Sequence, residues 1–148
     1  MKVLFVCTGN TCRSPMAEII GRTLIEESEF DSAGIFASEG SDISNNAKTI
    51  LLENGYNPND FSSKRVTKEL FRDINLVLTM TFEQKEILKS FFLEEKDKIY
   101  TIKEYNGDRG EIGGIIDPFG GNIQIYRRVY KEIENEIIKL KSKLLNNS

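Results

Sequence analysis

The chain has 148 residues, 39% of them hydrophobic and 29% charged, with 20 basic against 23 acidic side chains and a net charge of −3. That balance is the one expected of a single globular domain, residues 1–148, able to bury its own core, and it argues against a general nucleic-acid binder or a polybasic membrane module. There is no histidine, which excludes Ser-His-Asp and Cys-His catalysis and makes a transition-metal site unexpected, and the only cysteines, Cys7 and Cys12, make no secreted disulfide framework and fit a reducing cytoplasm.

Along the chain, apolar periods alternate between strand-like and helix-like. Residues 2–6 form a continuous apolar run, suited to a central parallel strand buried on both faces. The run is too short for a signal peptide, and no stretch reaches the roughly 20 apolar residues of a membrane span. From Pro15 the period becomes helical, with Met16, Ile19, Ile20 and Leu24 on one face. Residues 30–34 read as a second strand. Ala47, Ile50 and Leu51 line a helix that Gly55 ends. Residues 75–79 read as a buried strand, and Thr81 with Gln84 forms a capping box for a helix whose inward face carries Ile87, Leu88, Phe91 and Phe92. Residues 98–102 make a short strand, and the Gly- and Asp-rich stretch 106–121 a long loop. Tyr126, Tyr130, Ile133, Ile137, Leu140 and Leu144 mark the core stripe of a C-terminal helix that frays over Asn146, Asn147 and Ser148. This order predicts an α/β fold: a doubly wound, four-stranded parallel sheet with helices on both faces and the functional loops at the carboxyl ends of the strands.

The loop after the first strand carries the chemistry. Cys7-Thr8-Gly9-Asn10-Thr11-Cys12-Arg13-Ser14-Pro15 places a thiol at a strand end and a guanidinium six positions later, at a helix start. A phosphoryl group repels nucleophiles by its own charge, so a catalyst must hold the dianion while presenting an anionic nucleophile. Backbone amides of Thr8, Gly9, Asn10, Thr11, Cys12, Arg13 and Ser14, together with a helix N-terminus, can hold it. Gly9 is expected to permit the tight turn and Asn10 a left-handed conformation. Arg13 offers a bidentate grip on two oxygens. A helix N-terminus and a cation are also what favour thiolates in general, and Ser14 could donate to the sulfur. The expected route is covalent, through a phosphocysteine that water hydrolyses, with no metal and no other cofactor.

This loop resembles the active-site loop of the low-molecular-weight protein tyrosine phosphatases. Asp117-Pro118-Phe119 resembles that family's general-acid loop, and Asp31-Ser32-Ala33-Gly34 its segment after the second strand. The resemblance implies that Cys7 is the nucleophile, Arg13 the phosphate ligand and Asp117 the acid and then the base. It makes Asn10, Ser14 and Ser32 the network that supports the loop. It also makes Cys12 the partner of Cys7 in a reversible disulfide under oxidation. Phe61-Ser62-Ser63 stands where many relatives have a supporting histidine, so the network must be held otherwise.

Tyrosine-specific members commonly carry Ile where this chain has Thr11, and an aromatic wall near the place of Ser38. A more polar mouth suits a guanidinium better than a phenyl ring, and Phe119 could stack on its planar face. Thr11, Phe36-Ala37-Ser38 and the Asp117 segment resemble the bacterial protein-arginine phosphatase branch. The expected partners are therefore phosphorylated proteins, bearing phosphoarginine or else phosphotyrosine, with inorganic phosphate as product. No nucleic acid and no membrane is expected. A thioredoxin-coupled arsenate reductase needs further cysteines beyond Cys12, which the chain lacks. A non-catalytic anion-binding module would not need Cys7, Arg13 and Asp117 together. Tyr126 and Tyr130 read as core residues rather than modification sites, and Asp108 with Glu111 as a solvated turn rather than a calcium loop.

Overall fold

The computed structural model describes residues 1–108 and 114–146. Strands β1 (Lys2–Cys7), β2 (Glu29–Gly34), β3 (Leu76–Thr79) and β4 (Ile99–Thr101) form one parallel sheet in the order β2-β1-β3-β4. The chain starts in the middle of the sheet and winds outward in both directions. Loops leaving the carboxyl ends of β1 and β3 therefore diverge and open a crevice between them.

Both faces of β1 are covered, which is why its sequence is apolar without alternation. Val3, Phe5 and Cys7 pack into one cluster with residues of α1 (Arg13–Leu24), α2 (Asn45–Glu53) and α5 (Ile123–Asn146). Leu4 and Val6 face the other cluster, with Leu88 of α3 (Phe82–Phe91) and Phe71 of the 3-10 turn Lys68–Phe71. The expected stripe of α5, from Tyr126 to Leu144, is buried throughout, and Gly55 takes φ +82° just past the end of α2. Thr81 and Gln84 form the expected capping box of α3.

Three local expectations are corrected. The strand read over 98–102 is confined to Ile99–Thr101. Thr101 and Glu104 form a second capping box that starts α4 (Ile102–Tyr105), so the chain turns helical where a strand was expected. Phe91 does not face the core and is 59% exposed. Phe92 lies beyond the last turn of α3, half-buried, with its ring 4.8 Å from Phe71. Leu88 and Phe71 already fill that face of the sheet, and the 3-10 turn Leu93–Lys98 redirects the chain at once. In the stretch 106–121, residues 109–113, Glu111 among them, lie outside the described residues, as do Asn147 and Ser148. The described remainder is irregular, as expected, yet Ile115 is fully buried and its N–H donates to the Met80 carbonyl at 3.0 Å. Among the described residues no helix is long and apolar enough to cross a membrane.

Candidate active site

Cys7 is the last residue of β1, and its sulfur lies in the crevice above the sheet, 2.8 Å from Ser14 Oγ. The loop between Cys7 and α1 folds back because Asn10 adopts φ 56°, a left-handed conformation that Asn tolerates. The fold-back brings the Asn10 N–H to Cys7 Sγ at 3.3 Å. Gly9 is not the glycine that the loop depends on: it lies outside the left-handed region, and a Cβ there would meet nothing closer than 3.8 Å. The critical glycine is Gly34, at the end of β2. A Cβ on it would stand 2.7 Å from the Thr8 carbonyl and 3.0 Å from Asn10 Cβ. α1 begins at Arg13 with no side-chain cap and no acidic residue in its first turn, so its positive end faces the loop unneutralised.

Arg13 is buried. Its Nη1 donates to the Ile115 carbonyl at 2.8 Å, and its Nη2 lies 3.7 Å from Asp117 Oδ2. The loop before α5 thus seats the guanidinium and brings the acid to it. Asp117 is half-exposed, and its Oδ1 accepts from the Phe119 N–H at 3.1 Å. These residues line a cavity of about 280 Å³, walled by Cys7, Thr11, Arg13, Phe36, Asp117 and Phe119. Ser38 lines it too, but the mouth is less polar than the sequence suggested. Phe36 is exposed, with its ring edge-on to Phe91 at 6.5 Å, and supplies an aromatic wall two residues before Ser38. A larger cavity, about 680 Å³, opens near Lys2, Glu29, Asp31 and Asp73. It lies at the amino end of β1, holds no cysteine, and its mostly acidic rim repels a phosphoryl group.

The loop is held by more residues than the sequence disclosed. Asn10 is fully buried, and its Nδ2 donates to Ser14 Oγ and to Ser32 Oγ, both at 2.9 Å. The Lys64 N–H donates to Asn10 Oδ1 at 3.0 Å, and Ser63 Oγ donates to the Asn10 carbonyl at 2.7 Å. The segment without a histidine thus supports the loop itself, lying beside the end of β2 through the Gly34 pairing with residues 64–66. Gln84 caps α3 and also donates from Nε2 to Thr8 Oγ1 at 3.0 Å. Glu18, four residues beyond Ser14 on α1, accepts from Ser32 Oγ at 2.7 Å. Burial raises the Glu18 carboxyl above its ordinary range, against the pull of Ser32 and Arg22. Cys12 is buried, with its sulfur 3.4 Å from Ser44 Oγ and from Tyr126 OH. Burial, with Cys12 alongside, pushes the Tyr126 phenol up to about 12. Among the described residues no group of three or more His, Cys, Asp or Glu side chains is placed to hold a metal.

The family model described as low molecular weight phosphotyrosine protein phosphatase matches residues 2–148. This chain belongs to that family. A protein-arginine-phosphatase of Bacillus subtilis (strain 168) is 40% identical over 148 residues, covering 97% of each chain. The low molecular weight protein-tyrosine-phosphatase PtpB of Staphylococcus aureus is 38% identical over 141 residues, covering 95% of this chain and 97% of its own. Among solved structures, the arginine phosphatase YwlE, as a cysteine-to-serine mutant with a phosphorylated active-site serine, superposes with a TM-score of 0.92. That structure is 39% identical and covers 97% of this chain and 95% of its own.

Proposed function

We propose that this chain is a cysteine-dependent phosphatase that hydrolyses phosphoarginine in proteins through a phosphocysteine intermediate. The observation that carries the reading is the convergence of Cys7, Arg13, Asp117 and Thr11 on one cavity. In the first step the Cys7 sulfur attacks phosphorus, and the bond from phosphorus to the leaving nitrogen breaks. Arg13 and the amides around the loop hold the equatorial oxygens, and Asp117 gives its proton to the departing guanidinium nitrogen. In the second step water attacks phosphorus, the phosphorus–sulfur bond breaks, and Asp117 takes one proton of the water. Phosphate leaves, and the sulfur returns as thiolate with Ser14 beside it. The phosphorylated active-site serine of the YwlE mutant supports a covalent phosphoenzyme.

The two relatives differ by only two points in identity, so similarity alone does not favour arginine over tyrosine. The cavity residues other than Phe36 support arginine. Thr11 sits in the cavity wall where a branched apolar side chain would grip a phenyl ring, and Asp117 can pair with a guanidinium as well as protonate it. Phe119 is exposed and lines the cavity, where an aromatic ring suits a planar cation. The second reading, a tyrosine phosphatase, draws on Phe36 as the aromatic wall. The test is phosphate release from matched phosphoarginine and phosphotyrosine peptides, with Cys7→Ser as blank. Phosphoarginine is expected to be preferred at least tenfold in kcat/KM, a difference of about 1.4 kcal/mol, and Thr11→Ile to shift preference toward phosphotyrosine. Preference of the unaltered chain for phosphotyrosine overturns the arginine reading.

Cys12 adds a redox reading of the same site, in the cytoplasm that its thiols suit. Peroxide takes two electrons and two protons from Cys7 and Cys12, is reduced to water, and leaves a Cys7–Cys12 disulfide that a dithiol reverses.

A further inference from the structure

We infer that Glu18 is a positioning residue that fixes the direction of the side-chain hydrogen bonds leading through Ser14 to the Cys7 sulfur. The inference concerns the nucleophile of the site proposed above and rests on that reading for its place in turnover. The chain runs through five side chains. Glu18 Oε1 accepts from Ser32 Oγ at 2.7 Å, and Ser32 Oγ accepts from Asn10 Nδ2 at 2.9 Å. Asn10 Nδ2 also donates to Ser14 Oγ at 2.9 Å, and Ser14 Oγ lies 2.8 Å from Cys7 Sγ. Asn10, Ser14 and Ser32 are completely buried and Glu18 is 5% exposed, so water does not offer substitute partners.

A hydroxyl has one hydrogen to give. A carboxylate can only accept, so Ser32 must spend its hydrogen on Glu18 and can offer Asn10 only a lone pair. That forces the amide face of Asn10, rather than its carbonyl, toward Ser32 and Ser14. Ser14 then receives from Asn10, and its own hydrogen is left for the sulfur. The Lys64 N–H, donating to Asn10 Oδ1, favours the same orientation from the other side. Without Glu18, the Asn10 amide can flip, exchanging the Lys64 N–H for the Ser32 hydroxyl as donor to its oxygen, and Ser14 is then free to turn away from the sulfur. A carboxylate out of reach of any substrate thereby sets which way the last hydroxyl points. Its second oxygen is held by Arg22 Nη2 at 2.9 Å, which keeps the carboxylate in this role despite the burial.

The sign of the effect separates this role from plain electrostatics. The charges facing Glu18 are Arg22 on its own helix and Asp31 and Lys64 from neighbouring segments; those lining the cavity with the thiol are Arg13 and Asp117. Removing a negative charge from this set favours the thiolate. Removing the hydrogen-bond chain disfavours it.

The test is the pH dependence of iodoacetamide alkylation at Cys7, followed by mass spectrometry, which needs no turnover. Glu18→Leu is expected to move the midpoint upward by about one pH unit, the size of a lost hydrogen bond to an ionised group. Glu18→Gln, which keeps an acceptor for Ser32 but loses the charge, is expected at or slightly below the unaltered midpoint. A midpoint for folded Glu18→Leu that is unchanged or lower overturns the inference. If Glu18→Leu does not fold, Ser32→Ala cuts the same chain without disturbing the Glu18–Arg22 pair. It must show the upward move, and its failure to do so is equally fatal. Absence of phosphatase activity in the unaltered chain would defeat the functional reading while leaving the alkylation result intact.

Discussion

Asp117 is the residue whose geometry says most about turnover. It is 52% exposed on its side chain and contacts Arg13 at 3.7 Å, so it stands at the rim of the cavity, where a leaving group departs. Asp117→Asn keeps the shape and the Phe119 N–H contact but carries no proton to give. We expect kcat for phosphopeptides to fall by roughly 10²–10⁴, because general acid help is lost only in the transition state. Steady-state kinetics check this, and a rise in KM at constant kcat would remove Asp117 from the acid's role. Cys12 makes the second residue-scale prediction. Peroxide is expected to inactivate the enzyme and a dithiol to restore it, whereas in Cys12→Ser the recovery is expected to be poor because Cys7 oxidises further. Full recovery in that variant counts against the disulfide. At this scale the sequence disclosed residues that line the cavity and concealed those that hold them. Cys7, Arg13 and Asp117 are unusual in their spacing and residue type. Glu18, Ser63 and Gln84 are ordinary helix and loop residues. Nothing local distinguishes a glutamate that accepts from Ser32 from one that faces solvent, because its partner arrives from a strand across the fold.

Among the elements, α5 does the most to close the molecule. Tyr130 OH donates to Glu134 Oε2 at 2.5 Å and Tyr56 OH to the same oxygen at 3.1 Å, tying the turn after α2 to α5. Burial works upward on the Glu134 carboxyl, but hydrogen bonds from Tyr130, Lys131 and Tyr56 outweigh it and hold the group below its ordinary value of 4.5. A carboxylate held low in the fold contributes stability that is present above the unfolded value and lost as pH falls through the folded one. The stability advantage of the unaltered chain over Glu134→Gln is therefore expected to shrink from pH 7 to pH 3, measured by urea denaturation at each pH. An advantage equal at both pH values contradicts this account. The elements with long apolar periods, β1, α1, α2 and α5, were legible because burial imposes the period. The end of β4 was not, since one capping box at Thr101 outweighs the strand preference of Ile102. Phe91 misled for a related reason: helical spacing shows which side chains share a face, not where the packing partner ends.

For the molecule as a whole, the alternating pattern and the rule that crossovers are right-handed and short narrow the sheet to a few parallel, doubly wound orders, of which β2-β1-β3-β4 is the one adopted. The position of the site at the carboxyl ends of β1 and β3 was therefore foreseeable before any side chain was placed. The meeting of Arg13 with Ile115 and Asp117 follows from the same winding, since the last strand delivers the following loop to the same edge of the sheet. The depth of support was not foreseeable. Cys12 touches Ser44 from the start of α2 and Tyr126 from the start of α5, and Asn10 is held from β2, from α1 and from residues 63–64. A short motif is thus pinned by partners drawn from most of the chain.

That Arg13 takes its carbonyl partner 102 residues downstream, and Cys12 its tyrosine 114 downstream, has a bearing on biosynthesis. The first hundred residues include Cys7, Asn10 and Arg13, but neither the carbonyl that seats the guanidinium nor the Asp117 carboxylate beside it. Contacts of such long sequence separation form late in folding. The loop around Cys7 is therefore complete only when residues 115–126 have been made and packed against it.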